Sequence, residues 1–127
     1  IALAQAGKHR QLVAANYPAS VHPQNADNAA IRDISVRMAV ENGPEVYIRQ
    51  QQAIIGRPDS LPLLPTIRVP TTIIVGEADT ITPVVDAHVM ADAIPNANLV
   101  TIAGAGHMSP TEQPAVVAQA LSRWLSR

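Results

Sequence analysis

An aspartate and a histidine each follow a short apolar segment in the second half of this 127-residue chain. Asp79 comes shortly after the β-branched residues 71–75, and His107 comes shortly after residues 98–102. A carboxylate that accepts a hydrogen bond from an imidazole Nδ1–H fixes the tautomer of the imidazole and stabilises the imidazolium formed when Nε2 takes a proton. If the fold brings the two side chains together, Asp79 can orient His107 as a general base.

The pattern of strands and helices around Asp79 and His107 predicts that the two side chains lie close together. Both apolar segments are typical of buried strands that lead into loops. Between them, residues 83–94 have the apolar spacing of a helix, with Thr82 as its expected cap. A strand, a helix and a strand in this order form a right-handed crossover, so the strands are parallel and both exits lie at one edge of the sheet. Adjacent parallel strands are about 4.8 Å apart, which puts Asp79 within reach of His107.

The same residues resemble the C-terminal end of an α/β hydrolase. The resemblance runs through V-P-T-T-I-I-V-G-E-A-D at 69–79, T-P at 82–83, and G-A-G-H-M-S-P-T-E-Q-P at 104–114. In that family a strand followed by G-x-x-D and T-P carries the triad acid, a later G-x-G-H carries the triad base, and the nucleophile precedes both. The resemblance implies that Asp79 is the acid and His107 the base.

A second part of the resemblance lies upstream. Residues 49–53, 57–60 and 67–70, with Leu64 between them, are similar to the passage by which a helical cap returns to the sheet in esterase-like and enol-lactonase-like hydrolases. The resemblance implies a helical cap, incomplete at its N-terminus, in residues 1–62. It implies the C-terminal part of the α/β-hydrolase core in residues 63–127. The expected fold class is therefore α/β, with parallel strands and flanking helices.

The chain contains no nucleophile in the context that this family requires. The serines upstream of Asp79 are Ser20, Ser35 and Ser60, and none lies in G-x-S-x-G, whose glycines permit the strained strand-to-helix turn. No cysteine is present and no carboxylate stands in G-x-D-x-G. We therefore expect a fragment that is inactive alone. Its parent is expected to hydrolyse an ester, lactone or similar carbonyl substrate through a Ser-His-Asp-type acyl-enzyme.

Composition excludes several other classes of function. Nine basic and ten acidic residues without a basic run indicate neither a nucleic-acid nor an anionic-membrane partner. No apolar segment approaches the about 20 residues of a membrane helix. His9, His22 and His88 lack the spacing of metal ligands, and residues 104–106 lack the third glycine of a dinucleotide-binding loop, so no metal or cofactor is expected. With no secretory signal pattern, a cytoplasmic protein is expected.

Several features leave alternatives open. Met108, next to His107, is expected either to pack in the core or to line the substrate pocket. The unpaired edge of residues 71–75 and the apolar stripe of residues 116–125 predict that the missing N-terminal part of the same enzyme, or a homo-oligomer, completes the fold. A non-catalytic association module that retains the hydrolase fold is the alternative function, with Asp79 and His107 as structural residues.

The remaining segments have helical patterns. Residues 1–16 predict two short helices and residues 17–28 a loop. A helix capped by Asp27 or Asn28 is expected over 29–42, and another over 44–55, with an extended return through 58–65. The inward-facing residues of the first of these are expected to be Ile31, Ile34, Met38 and Val40. Ser109 and Glu112 fit a capping box, and the last helix is expected to begin at Pro114 and to lie on the sheet.

Overall fold

The computed structural model of the protein describes residues 1–126. Its regular elements are α1 (Ala2–Gln5), α2 (His9–Ser20), α3 (Ala29–Ile55), β1 (Thr72–Gly76), α4 (Val84–Ala93), β2 (Asn98–Ile102), α5 (Ser109–Glu112) and α6 (Pro114–Leu125). Short 3₁₀ turns occupy Pro23–Asn25 and Leu61–Thr66. The strand, helix and strand expected in the second half are therefore present.

The two strands form the parallel pair that the crossover predicts. Thr72 pairs with Asn98 at one end and Gly76 pairs with Ile102 at the other. Helices α4 and α6 both contact the two strands. Within the described residues the sheet contains only β1 and β2. Both strands end at the same edge of the sheet, where their exit loops begin.

Two apolar clusters hold the chain together. The first joins the sheet to α6 and is formed by Ile102, Ala105 and Val117, with Ile74 and Val100 packed against it. The second joins the N-terminal helices to the segment after β2 and is formed by Tyr17, Val21 and Ile31, with Met108 packed against it. The Tyr17 hydroxyl donates a hydrogen bond to the Asn25 carbonyl at 2.8 Å. The N-terminal helices are thus packed against the C-terminal segment through Met108.

Helix α2 extends further than its sequence predicts. It runs to Ser20 through residues expected to form a loop, and Pro18 lies in its last turn. A proline removes one helical hydrogen bond and crowds the preceding turn. Tyr17 is only 2% exposed, and its burial in the second cluster offsets that cost. The loop prediction for residues 17–20 is therefore wrong.

Helix α3 begins and divides where the sequence predicts. The Asn28 side chain accepts hydrogen bonds from the backbone N–H groups of Ala30 and Ile31. Gly43, with φ +79°, is not helical and separates the two helical parts, and Pro44 follows it. A positive φ of this kind suits glycine, which has no Cβ to clash.

The prediction of which α3 residues face inward is largely wrong. Ile31 is buried, but Ile34, Met38 and Val40 are 36%, 48% and 43% exposed, and Val36 is buried instead. Helix α2 has 12 residues and α3 has 27, so α2 covers only part of the length of α3. Apolar periodicity marks a face that could be buried, and here the described chain supplies too little surface to cover it.

Two expected helix caps are also wrong. The N-cap of α4 is Pro83, without a side-chain cap, and Thr82 makes other contacts. The N-cap of α5 is Met108, and Glu112 accepts a hydrogen bond from Gly106 rather than closing a capping box with Ser109. In both cases donors or acceptors from neighbouring loops compete successfully with the local cap. The extended return expected through residues 58–65 contains the 3₁₀ turn Leu61–Thr66.

The last helix begins at Pro114 after a break at Gln113, as predicted. Its apolar stripe is only partly covered. Val117 and Ala120 are buried against the sheet side, whereas the remaining large apolar residues are exposed by 38% to 74%: Val116, Leu121, Trp124 and Leu125. Part of the stripe is therefore available for contact with another segment or chain.

Candidate active site

The loop that follows β1 positions Asp79. After the strand ends at Gly76, Oδ1 of Asp79 accepts hydrogen bonds from the backbone N–H groups of Ile81 and Thr82, both at 2.9 Å. An aspartate that accepts from residues two and three positions later stabilises a tight loop. These bonds orient the carboxylate and leave Oδ2 for side-chain partners. The Asp79 side chain is 6% exposed.

The loop that follows β2 brings His107 to this carboxylate. Nδ1 of His107 lies 2.9 Å from Oδ2 of Asp79. An ionised carboxylate only accepts hydrogen bonds, so Nδ1 carries the proton and Nε2 is the basic nitrogen. The imidazole side chain is 39% exposed, and within residues 1–126 its hydrogen-bond contacts are made by Nδ1. The structure therefore brings together the two residues that the sequence singles out.

Thr82, which the sequence predicts only as a helix cap, is a third member of this arrangement. Its hydroxyl donates a hydrogen bond to Oδ2 of Asp79 at 2.9 Å and lies 3.3 Å from Nδ1 of His107. The signal that could have revealed it is the spacing D-x-x-T. A threonine three residues after a loop-forming aspartate can return its hydroxyl to the carboxylate.

Hydrogen bonds keep Asp79 ionised despite its burial. Burial of Asp79 by itself raises the pKa of the carboxyl group, but hydrogen bonds from the Thr82 backbone, the His107 ring, the Ile81 backbone and the Thr82 hydroxyl lower it. The hydrogen bonds outweigh burial, and the pKa of Asp79 lies below its ordinary value. A carboxylate that stays charged is the form that stabilises an imidazolium on His107.

Close backbone approaches place the two exit loops against each other. A Cβ added to Gly76 would lie 2.2 Å from the carbonyl oxygen of Gly106, and one added to Gly106 would lie 2.6 Å from the backbone of Val21. Any side chain at either position would have to displace backbone atoms. Gly76 thus permits the contact between the two exit loops, and Gly106 permits the close approach of the second loop to the backbone that follows α2.

The C-terminal end of α2 contacts both loops. The Thr80 hydroxyl donates to the Ala19 carbonyl at 3.1 Å, and the Met108 backbone N–H donates to the Ser20 carbonyl at 3.0 Å. These bonds connect one helix end to the residue after Asp79 and to the residue after His107. The segment expected to belong to a cap therefore lies directly against the Asp79–His107 pair.

The other candidate features are Met108, next to His107, and a cleft beside α3 and α4. Met108 is partly buried against the cluster of Tyr17, Val21 and Ile31. A cleft of about 670 Å³ lies between the end of α3 and α4, and its lining includes Arg57, Leu61 and Met90 but neither Asp79 nor His107. Among the described residues, no three His, Cys, Asp or Glu side chains converge in a way that could hold a metal ion. Across residues 1–126, the helices are too short or too polar to cross a membrane.

Comparison with known proteins assigns the chain to a family. The model of the Alpha/beta hydrolase family matches residues 4–120. No curated protein sequence matches the chain. Among solved structures, a thermophilic esterase from Thermogutta terrifontis is 29% identical, with a TM-score of 0.89, over 98% of this chain and 47% of that one.

Two further solved structures share the fold at lower identity. An enol-lactonase from Burkholderia xenovorans LB400 is 22% identical, with a TM-score of 0.87, over 99% of this chain and 48% of that one. A hydrolase from Pseudomonas aeruginosa PA01 is 23% identical, with a TM-score of 0.85 and the same coverage. The chain thus spans about half the length of these structures. Since the family model matches nearly all of its residues, the chain belongs to the α/β hydrolase family.

Proposed function

We propose that this chain supplies the acid and base of a hydrolase that cleaves an ester, a lactone or a similar carbonyl substrate through an acyl-enzyme. The observation that carries the proposal is the 2.9 Å contact between Oδ2 of Asp79 and Nδ1 of His107. In the proposed reaction, Nε2 of His107 takes the proton of the nucleophile's hydroxyl as its oxygen attacks the substrate carbonyl. The same nitrogen then gives that proton to the leaving group, while Asp79 stabilises the imidazolium.

The substrate class is supported by two of the structural relatives. One is an esterase and another is an enol-lactonase, and both reactions pass through attack on an acyl carbonyl. Met108 follows His107 and is only partly buried. In the proposal, its uncovered side contacts the acyl or alcohol part of the substrate, as the flexible apolar side chain of methionine permits.

The nucleophile in this proposal belongs to another part of the fold. Ser20 uses its hydroxyl to donate to the Asn16 carbonyl, and Ser109 is buried in α5. No serine hydroxyl is hydrogen-bonded to His107 within residues 1–126. The nucleophile and the oxyanion-binding N–H groups would come from the half of the relatives' length that this chain does not span.

The same absent half is the proposed partner. The outer edge of β1 has no neighbouring strand among the described residues, and apolar residues of α6 remain exposed. A strand and helices of the same enzyme would cover both, with residues 1–62 as its helical cap and 63–127 as the end of its core. A homo-oligomer is the other arrangement that could cover these surfaces.

The experiment that tests the proposal uses the complete enzyme, with this chain joined to the rest of its fold. Wild type, His107→Ala, Asp79→Asn and the control His88→Ala are compared on p-nitrophenyl acetate and on a simple lactone. His88 is exposed on α4 and serves as a matched control. We expect kcat to fall by about 10³- to 10⁴-fold in the first two variants, because the general base or its tautomer is lost. Normal turnover by His107→Ala would contradict the assignment.

The alternative is a non-catalytic association module with the same fold. Its support is the absence of a nucleophile that contacts His107 within residues 1–126. Reaction of the complete protein with a fluorophosphonate separates the two functions. An enzyme becomes labelled once per chain and labelling depends on His107, whereas an association module stays unlabelled.

A further inference from the structure

Glu112 makes hydrogen bonds that are unusual for a residue at the end of a four-residue helix. Its Oε1 accepts from the backbone N–H of Gly106 at 2.8 Å. Its Oε2 accepts from the backbone N–H of His22 at 2.7 Å and from Nδ2 of Asn25 at 2.9 Å. Three donors from two separate segments therefore converge on one carboxylate.

These donors connect the base-bearing loop to the segment after α2. Gly106 immediately precedes His107, so the bond to its N–H restrains the Ala105–Gly106 peptide, one residue before the Cα that carries the imidazole. His22 and Asn25 belong to the segment that follows the α2 end already bonded to Met108. Hydrogen bonds to an ionised acceptor are shorter and stronger than those between neutral groups. Glu112 is therefore an electrostatic link between the loop and the N-terminal helices.

The hydrogen bond between His107 and Asp79, which Glu112 supports in this way, is broken by a small movement of either residue. The Nδ1 to Oδ2 distance is 2.9 Å, and a shift of about 1 Å would carry the pair beyond hydrogen-bond distance. A misplacement of that size can cost about 100-fold in rate when it moves a reacting group. Other bonds hold the start of the loop, where the Gly104 N–H donates to Glu77. Glu112 holds the end of the loop nearest to His107.

We propose that Glu112 is a positioning residue for His107, and that it acts by fixing the Gly106 peptide against the His22–Asn25 segment. Glu112 does not contact the reacting atoms in this role. The inference rests on the proposed function, because the reaction that depends on the place of His107 is the proposed hydrolysis. Its structural part, the effect of Glu112 on the His107 tautomer, can be measured without any reaction.

The test compares Glu112→Gln with wild type in the complete enzyme. Glutamine has the same shape, but its amide nitrogen would face N–H donors where the carboxylate has an acceptor oxygen. Glu41→Gln is the matched control, since Glu41 is exposed on α3 and, within residues 1–126, its salt-bridge partner is Arg37 at 4.0 Å. Three quantities are measured: kcat and KM on p-nitrophenyl acetate, the midpoint of thermal unfolding, and the histidine tautomer from two-bond ¹H–¹⁵N NMR spectra.

We expect Glu112→Gln to lower kcat by about 10- to 100-fold, while KM stays within about threefold, because the general base is displaced and the substrate pocket is not. The His107 spectrum should change from a single Nδ1–H tautomer to an average of both tautomers. Glu41→Gln should match wild type in all three measurements. A lower unfolding midpoint with unchanged kcat and an unchanged His107 spectrum would show that Glu112 is merely structural and would overturn the proposal.

The outcomes also separate this inference from the proposed function. If wild type shows no hydrolysis but Glu112→Gln still changes the His107 tautomer, the hydrolase proposal fails and the positioning role stands. If Glu112→Gln does not fold, Asn25→Ala provides the test, because it removes only the Nδ2 donor and retains the other two bonds. A smaller change in the same direction is then expected. An unchanged His107 spectrum in folded Asn25→Ala would overturn the inference.

Discussion

The hydroxyl of Thr82 lies 3.3 Å from Nδ1 of His107, and both groups contact the same carboxylate oxygen, Oδ2 of Asp79. The other oxygen, Oδ1, is occupied by two backbone N–H groups. Three hydrogen bonds, two from backbone N–H groups of the loop and one from the Thr82 hydroxyl, thus orient the carboxylate independently of the imidazole. His107 meets an acceptor that is already in place, which lowers the cost of ordering the pair.

Thr82→Val should show how much the orientation of the Asp79 carboxylate contributes while the His107 imidazole is kept. Valine has nearly the same shape but removes the hydroxyl donor, so one hydrogen bond to a charged acceptor is lost. We expect the free energy of unfolding to fall by about 1 to 2 kcal/mol and kcat of the complete enzyme to fall by about tenfold. Urea unfolding and steady-state kinetics measure the two effects. Thr66→Val, which removes a hydroxyl bonded to the Leu63 carbonyl in a distant turn, should leave kcat unchanged.

Acid should lower the free energy of unfolding of the complete protein partly through Asp79. The pKa of Asp79 is lower in the folded state than its ordinary value, so the folded state favours the ionised form. Its contribution to stability is complete above the unfolded pKa, at about pH 4, and is lost as the pH falls through the folded pKa. Urea midpoints of wild type and Asp79→Asn are compared from neutral pH downward. The stability difference between them should shrink below about pH 4, and a difference that is constant with pH would contradict this origin.

The 127-residue chain alone should not form an acyl-enzyme. Within residues 1–126, no hydroxyl is hydrogen-bonded to Nε2 of His107, the nitrogen that would act as the base, because the contacts of the ring are made by Nδ1. Rapid mixing with p-nitrophenyl acetate should therefore release no burst of p-nitrophenol. A burst stoichiometric with protein would show that one of the chain's own residues is the nucleophile, and mass spectrometry of the acylated chain would identify it.

The isolated chain should associate with another polypeptide. In the part of the chain that the structure describes, the outer edge of β1 is unpaired, and Leu121 and Leu125 of α6 are 45% and 74% exposed. Small sheets with exposed apolar faces have little independent stability. Light scattering across a dilution series should reveal oligomers, and adding the other half of the enzyme should convert them to a one-to-one complex. A cooperative monomer at low micromolar concentration would contradict this expectation.

The strand–helix–strand pattern around Asp79 and His107, and with it the contact between the two side chains, could be predicted from the sequence. The order strand, helix, strand follows from the spacing of apolar residues within short stretches of sequence. Because the crossover is right-handed and the strands are parallel, the loops that leave both strands lie at the same edge of the sheet. The division of α3 at Gly43 likewise depends on one residue's backbone freedom. Such features need no knowledge of distant segments, so their prediction required only short-range physical rules.

The distant partners of Glu112 and the choice of which apolar residues are buried depend on how separate segments of the chain pack. The sequence around Glu112 suits a helix cap, yet one of its partners is the distant His22. The bond from Thr82 to Asp79 is local by contrast, and the D-x-x-T spacing could have revealed it. Ile34 lies on an apolar face that the short α2 does not cover. A hydrogen bond or a buried surface needs a partner in space, and that partner is set by how separate elements pack.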